Sequence, residues 1–300
     1  GVDTISTTTA STKATTLGGG DDVITSDGVY GTGGSLDAGA GDDTIVMTAA
    51  QAATATASTT FAGKVSGLET LSVGATGATA TALNMTNADG MNIVTSAGFG
   101  AALTITNAAA GFTFNQTALG SVASSIALTT ATGTSDTVNL GYSATDGFLN
   151  TAAITIAGVE IINITTDDTN FTTTATAPTT AFGSPITATS AKTVTVSGDA
   201  GFNATGLTAT TLTSFDASGV TATGAGGAVT LTTGVLVADA ALTGGAGTNV
   251  LNASAVTSTT KVMTITGGAG ADTLTGGAGP DVITGGNGVN IIVGGAGNDT

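Results

Sequence analysis

Acidic residues at a fixed spacing are the chemistry-bearing feature of this chain. Asp272, Asp281, Asn290 and Asp299 follow one another every nine residues, each behind a glycine-rich run. Gly267-Gly268-Ala269-Gly270-Ala271-Asp272-Thr273-Leu274-Thr275 is followed directly by Gly276-Gly277-Ala278-Gly279-Pro280-Asp281-Val282-Ile283-Thr284, and both fit G-G-x-G-x-D-x-U-x with U apolar. The third copy, Gly285 to Val293, has Asn290 in the Asp position, and a fourth reaches Asp299. The chain holds no Cys and no His. Thiolate and imidazole ligands are therefore excluded, together with zinc sites and the Ser-His-Asp and Cys-His arrangements. Carboxylates and main-chain carbonyls remain, hard oxygens of the kind that bind calcium.

The spacing supplies a geometry for such binding. The x-U-x portion makes a short strand with one side chain inward, and the glycines permit the positive-φ turn that reverses the chain. Two repeats complete one coil, so each repeat stacks on the next but one. Stacked strands lie about 4.8 Å apart, and calcium takes oxygens at about 2.4 Å, so an ion fits midway between two turns. Its expected ligands are carbonyls of the loops at Gly268, Gly270, Gly277, Gly279, Gly286 and Gly288, with the Asp carboxylates. Asp272 then stacks with Asn290 and Asp281 with Asp299, as two rails on opposite edges. Asn290 removes a charge from its rail and predicts weaker binding there.

A looser cluster opens the chain. Ala38-Gly39-Ala40-Gly41-Asp42-Asp43-Thr44-Ile45 departs from the pattern only at its first glycine, Gly18-Gly19-Gly20-Asp21-Asp22-Val23-Ile24 lacks one leading residue, and Asp3 stands in the tail of a further copy. Asp3, Asp22 and Asp43 predict a third rail, with Gly18, Gly20, Gly39 and Gly41 in its turns. The competing reading is that Gly-Asp turns are only turns, since Asp favours them for its own hydrogen bonding.

The elements that must position these residues are strands. Leu242, Leu251, Ile265, Leu274, Ile283 and Ile292 mark inward positions, with one irregular turn between Leu251 and Ile265. Gly244 to Leu251 fits the same template with Asn249 in the Asp position. From about 49 to 240, Thr alternates with Ile, Leu or Val in short runs such as Leu103-Thr104-Ile105-Thr106 and Thr193-Val194-Thr195-Val196, the period of a strand with one wet face. The expected fold is all-β, a parallel β-solenoid in three segments: calcium-binding turns at 1–48, a Thr/Ala-rich solenoid at 49–240 and a repeat array at 241–300. Ala49 to Ala57 reads equally as a short helix or a loop.

Glu69 and Glu160, in Gly67-Leu68-Glu69 and Gly158-Val159-Glu160, read as strand-end surface groups, and Asp167-Asp168 as a paired acidic turn after a strand. A carboxylate pair can hydrolyse glycosides, but Trp is absent and Tyr occurs only at 30 and 142, so no aromatic sugar platform accompanies it. The chain is expected to be no enzyme. The sequons at Asn84, Asn115 and Asn203 are what chance gives in so Thr-rich a sequence.

Composition agrees. Hydrophobic residues make up 41%, but aromatics only 4% and charged residues 8%, so the core must be thin. The 47 glycines cluster rather than recurring at every third position, which excludes collagen. Four lysines against 20 acidic residues give a net charge of −16. Nucleic acid is excluded as a partner, an anionic membrane surface is disfavoured, and no apolar run reaches the roughly 20 residues of a membrane helix. No signal peptide opens the chain, which reads as an internal piece of a longer protein.

The tandem repeats over 267–300 resemble the RTX family, which implies type I secretion and folding on several calcium ions outside the cell. The Thr/Ala/Gly bias and the G-[VL]-E strands are similar to RTX-type bacterial surface-layer proteins of the Caulobacter kind. That likeness implies a two-dimensional lattice at the cell surface in which the chain's partner is itself, with cell-surface glycan or lipopolysaccharide held through other regions. An RTX adhesin or stalk shares these features. A Thr-rich ice-binding solenoid needs regular T-x-T ranks that Thr155, Thr165, Thr193 and Thr195 do not form, and a toxin or protease needs a catalytic or pore-forming segment.

Overall fold

Runs in which Thr or Ser alternates with one apolar residue are too short to form a core alone. Stacked in parallel and in register, they place one inward side chain of each coil directly over the next. The computed structural model, which describes residues 1–7, 10–88, 90–145, 147–169 and 181–300, is a parallel β-solenoid built in this way. Its chain falls into two compact units, Gly1–Thr130 and Ala131–Thr300.

In the first unit the strands Thr4–Thr7, Val23–Ser26, Thr44–Met47, Thr70–Val73, Ile93–Ser96 and Phe112–Gln116 pair in that order, all parallel. Their register aligns Ile5, Ile24, Ile45, Leu71, Val94 and Phe114. All but Ile5 are buried, each contributing roughly 1.5–3 kcal/mol. A second face stacks Ala14–Thr16, Ser35–Asp37 and Val65–Ser66, and a third stacks Thr81–Asn84, Leu103–Ala108 and Ser124–Leu128.

The segment that read equally as helix or loop is a helix, Ala49–Thr56. Thr48 caps it: its hydroxyl accepts the Gln51 N–H, and the Gln51 side chain takes the Thr48 N–H at 2.9 Å. Alanine is the best helix former, and Ala49, Ala52 and Ala55 on one face are all buried. The short helix Thr59–Ala62 follows and buries Phe61, whose ring lies 6.4 Å from that of Tyr30.

The second unit repeats the plan. Thr137–Ala144, Ile161–Asp168, Thr193–Gly198, Ser214–Val220, Ala240–Thr243, Met263–Thr266 and Val282–Thr284 form one parallel face. Phe182–Gly183, Phe202–Ala204, Thr230–Thr232, Val250–Asn252, Thr273–Thr275 and Ile291–Val293 form another. The inward series read from the sequence splits between them. Leu242, Ile265 and Ile283 stack on the first, and Leu251, Leu274 and Ile292 on the second. The first four ladder positions are buried, whereas Ile283 is half-buried and Ile292 is 48% exposed. The buried ring of Tyr142 packs against those of Phe182 and Phe202, with centroids 6.4 and 5.3 Å away.

Glycine is required where turns meet. Gly268 has φ +116° and lies against the Gly245 carbonyl; Gly286 has φ +81° and lies against the Gly268 carbonyl. A side chain at either would be strained and would force the coils apart. No helix among the described residues is long and apolar enough to cross a membrane.

Candidate metal centre

The acidic residue of each repeat stands just before its strand, where the Gly-rich turn ends. Asp22, Asp43, Asp272 and Asp281 are at most 1% exposed, an arrangement that carboxylates accept only with compensation. Part of that compensation is a ladder along the stack. Oδ1 of each residue accepts the main-chain N–H of the equivalent residue one coil earlier. The Asp3 N–H reaches Asp22 at 2.6 Å, and the Asp22 N–H reaches Asp43 at 2.8 Å. In the C-terminal array, Asn249 donates to Asp272, and Asp272 to the Asn290 side-chain oxygen, both at 2.8 Å. On the other edge Met263 donates to Asp281 at 2.8 Å and Asp281 to Asp299 at 2.9 Å. The spacing in the array is 18 residues, two nonapeptides per coil.

The second carboxylate oxygen is the chemically open one. Oδ2 of Asp22, Asp43 and Asp272 is buried with no hydrogen-bond partner. An ionised oxygen taken out of water with no donor costs several kcal/mol. The first glycine of the motif shows where these oxygens point. A side chain at Gly267 would collide with Asp272 Oδ2 and the Gly285 carbonyl, and one at Gly276 with Asp281 Oδ2 and the Gly294 carbonyl. Carboxylate and next-coil carbonyl thus converge on a cradle that only glycine leaves clear. Asp281 Oδ2 also takes the Gly277 N–H at 2.6 Å.

Calcium fits this donor set, which is all oxygen. Among the described residues no three acidic side chains converge on one point. Main-chain carbonyls must then supply most of the six to eight oxygens that calcium takes. The glycines named from the sequence are stacked accordingly. Gly286 lies over the Gly268 carbonyl and Gly288 over that of Gly270, while Gly295 and Gly297 lie over those of Gly277 and Gly279. In the first unit Gly39 lies over the Gly18 carbonyl and Gly41 over that of Gly20. Asp3 is exposed. The first-glycine position is occupied there by Leu17 and Ala38, so the two acid clusters differ at the cradle.

Three readings of lone acids are corrected. Glu69 is half-buried and bonded: its Oε2 accepts the Asp43 N–H at 2.8 Å and continues the Asp22–Asp43 ladder by one coil. Glu160 is buried and accepts the Asp136 N–H at 3.2 Å in the same way. Asp167 and Asp168 close the strand Ile161–Asp168 rather than forming a turn. Asp167 accepts the Ser143 hydroxyl at 2.7 Å, and the Asp168 N–H donates to Asp199 at 2.8 Å. The recurring G-[VL]-E pattern carried the signal for the two glutamates. The Asp168–Asp199 pair, 31 residues apart, had none.

Residues 266–300 match the family of the RTX calcium-binding nonapeptide repeat, in four copies. No curated protein matches the chain. The solenoid therefore carries calcium-binding RTX repeats, and its cofactor is Ca²⁺.

Proposed function

We propose that this is a structural, non-enzymatic protein of the bacterial cell surface, whose coils are held together by calcium and which assembles with copies of itself into a surface layer. The observation that carries the reading is the set of buried carboxylates, Asp22, Asp43 and Asp272, whose second oxygens have no donor. Asp272, Asp281, Asn290 and Asp299, with the carbonyls of the Gly-rich turns, hold the ions in the second unit. Asp22 and Asp43, with Asp3 at the edge, hold them in the first. When bound, calcium neutralises these oxygens and links metal binding to folding. Such a site makes a rigid extracellular scaffold where calcium is abundant, in keeping with type I secretion. Attachment to glycan or lipopolysaccharide falls to other parts of the protein.

Electron microscopy of the full-length protein tests the proposal. Ordered sheets form with millimolar calcium and with strontium, which is similar in size and charge, but not with magnesium, which keeps its waters in a tight octahedron. A protein that stays monomeric in calcium at high concentration is instead an adhesin or stalk.

A further inference from the structure

The Asn249 side chain lies in a shell of main-chain and carboxylate oxygens. It occupies the Asp position of the copy beginning at Gly244 and is fully buried. Four oxygens surround its Nδ2: the carbonyls of Gly245 at 3.1 Å, Gly247 at 2.9 Å and Gly267 at 3.0 Å, and Asp272 Oδ1 at 2.9 Å. Its Oδ1 faces two donors, the N–H groups of Val229 at 3.2 Å and Gly245 at 3.3 Å. The donors on one side and acceptors on the other settle which atom is nitrogen.

An amide nitrogen has two hydrogens, yet four oxygens from two successive turns close on it. That is the shell of a cation. The position is also that of a metal-site carboxylate oxygen one coil earlier. A side chain at Gly244 would meet the Gly267 carbonyl and Asn249 Nδ2, as one at Gly267 would meet the Gly285 carbonyl and Asp272 Oδ2. An oxygen in place of Nδ2 would repel all four neighbours unless a cation lay among them. The nitrogen brings its own positive hydrogens.

We propose that the Asn249 amide replaces both a carboxylate and its calcium ion, so that the coil carrying Val250–Asn252 closes without metal and is the template on which the calcium-dependent array folds. The inference rests on the calcium reading of the repeats. Asp272 is the junction: Oδ1 is satisfied by Asn249, and Oδ2, buried with no partner, awaits an ion. Within the C-terminal array, metal dependence begins at this one side chain.

Hydrogen exchange of the wild-type chain, in chelator and in calcium, tests this without any substitution. Amides of Val250–Asn252 stay protected in both conditions, while those of Val282–Thr284 and Ile291–Val293 are protected only in calcium. Loss of all three strands together in chelator overturns the template. In Asn249→Asp, equilibrium dialysis finds one more bound calcium than in wild type, and Val250–Asn252 loses its protection in chelator. An unchanged ion count with unchanged protection overturns the replacement. A wild-type chain that binds no calcium fails the calcium reading itself, an outcome distinct from both.

Discussion

The main-chain N–H of Asp22 donates to Oδ1 of Asp43 at 2.8 Å, and in both residues Oδ2 is buried with no hydrogen-bond partner. One oxygen of each carboxylate therefore does the work of a strand carbonyl, and the other is left to a cation. The same division recurs at Asp272, so stability and metal binding depend on the same side chains.

Asp281→Ala and Asp281→Asn together separate these roles. The substitution strands the N–H groups of Met263 and Gly277, which the carboxylate accepts at 2.8 and 2.6 Å, and removes an ion ligand. A buried donor left unpaired costs about 1–3 kcal/mol. Asp281→Asn keeps an acceptor but not the charge. Calcium titrations followed by circular dichroism should show a higher midpoint for both variants, and urea unfolding in saturating calcium should show the larger loss, about 2–4 kcal/mol, for alanine. Equal midpoints in wild type and both variants would remove Asp281 from the metal site.

Asn290→Asp restores a charge on the rail that Asn290 shares with Asp272. Asn290 Oδ1 already accepts the Asp272 N–H at 2.8 Å, and its Nδ2 makes only a 3.4 Å contact with the Gly286 carbonyl, so a carboxylate fits with little lost. The calcium midpoint should fall about threefold to tenfold, up to about 1.4 kcal/mol. In chelator the variant should be less stable than wild type, because the new charge has no ion to face.

Glu69 tests the ladder without the array. Glu69→Ala leaves the Asp43 N–H without its acceptor and should cost about 1–3 kcal/mol, whereas Glu69→Gln keeps an acceptor and should cost less than about 1 kcal/mol. Chemical unfolding of the two variants side by side decides it. Equal losses would mean that the charge matters and the hydrogen bond does not.

Tyr30 gives the first unit an alkaline limit. Burial pushes its phenol above the ordinary value of 10.0, the Asp27 charge adds to this, and hydrogen bonding to Ser26 opposes it. The folded state then keeps a proton that the unfolded chain releases. Stability from this group is intact below pH 10 and declines as pH rises from there through the folded value. The tyrosinate absorbance difference between wild type and Tyr30→Phe should rise only above pH 10. A rise centred at or below 10 would contradict the burial.

The nine-residue period was enough to place Asp272 over Asn290 and Asp281 over Asp299, because two repeats of equal length close a coil and stacking follows from counting. Thr alternating with one apolar residue was likewise enough for strands with a single inward side chain, since that pattern is local. The repeat template marked Asn249 and the G-[VL]-E pattern marked Glu69 and Glu160, but neither gave their partners. Their partners lie 26, 24 and 23 residues away along the chain, in coils of unequal length, so counting does not say which residue lies over which. Ala49–Thr56 was undecided for a related reason: alanine suits a helix or a loop until a buried face exists to receive it. Only the stacked structure brings the Gly245, Gly247 and Gly267 carbonyls around one amide nitrogen, because carbonyl direction is set by backbone dihedrals and coil-on-coil contact, and residue types do not encode it.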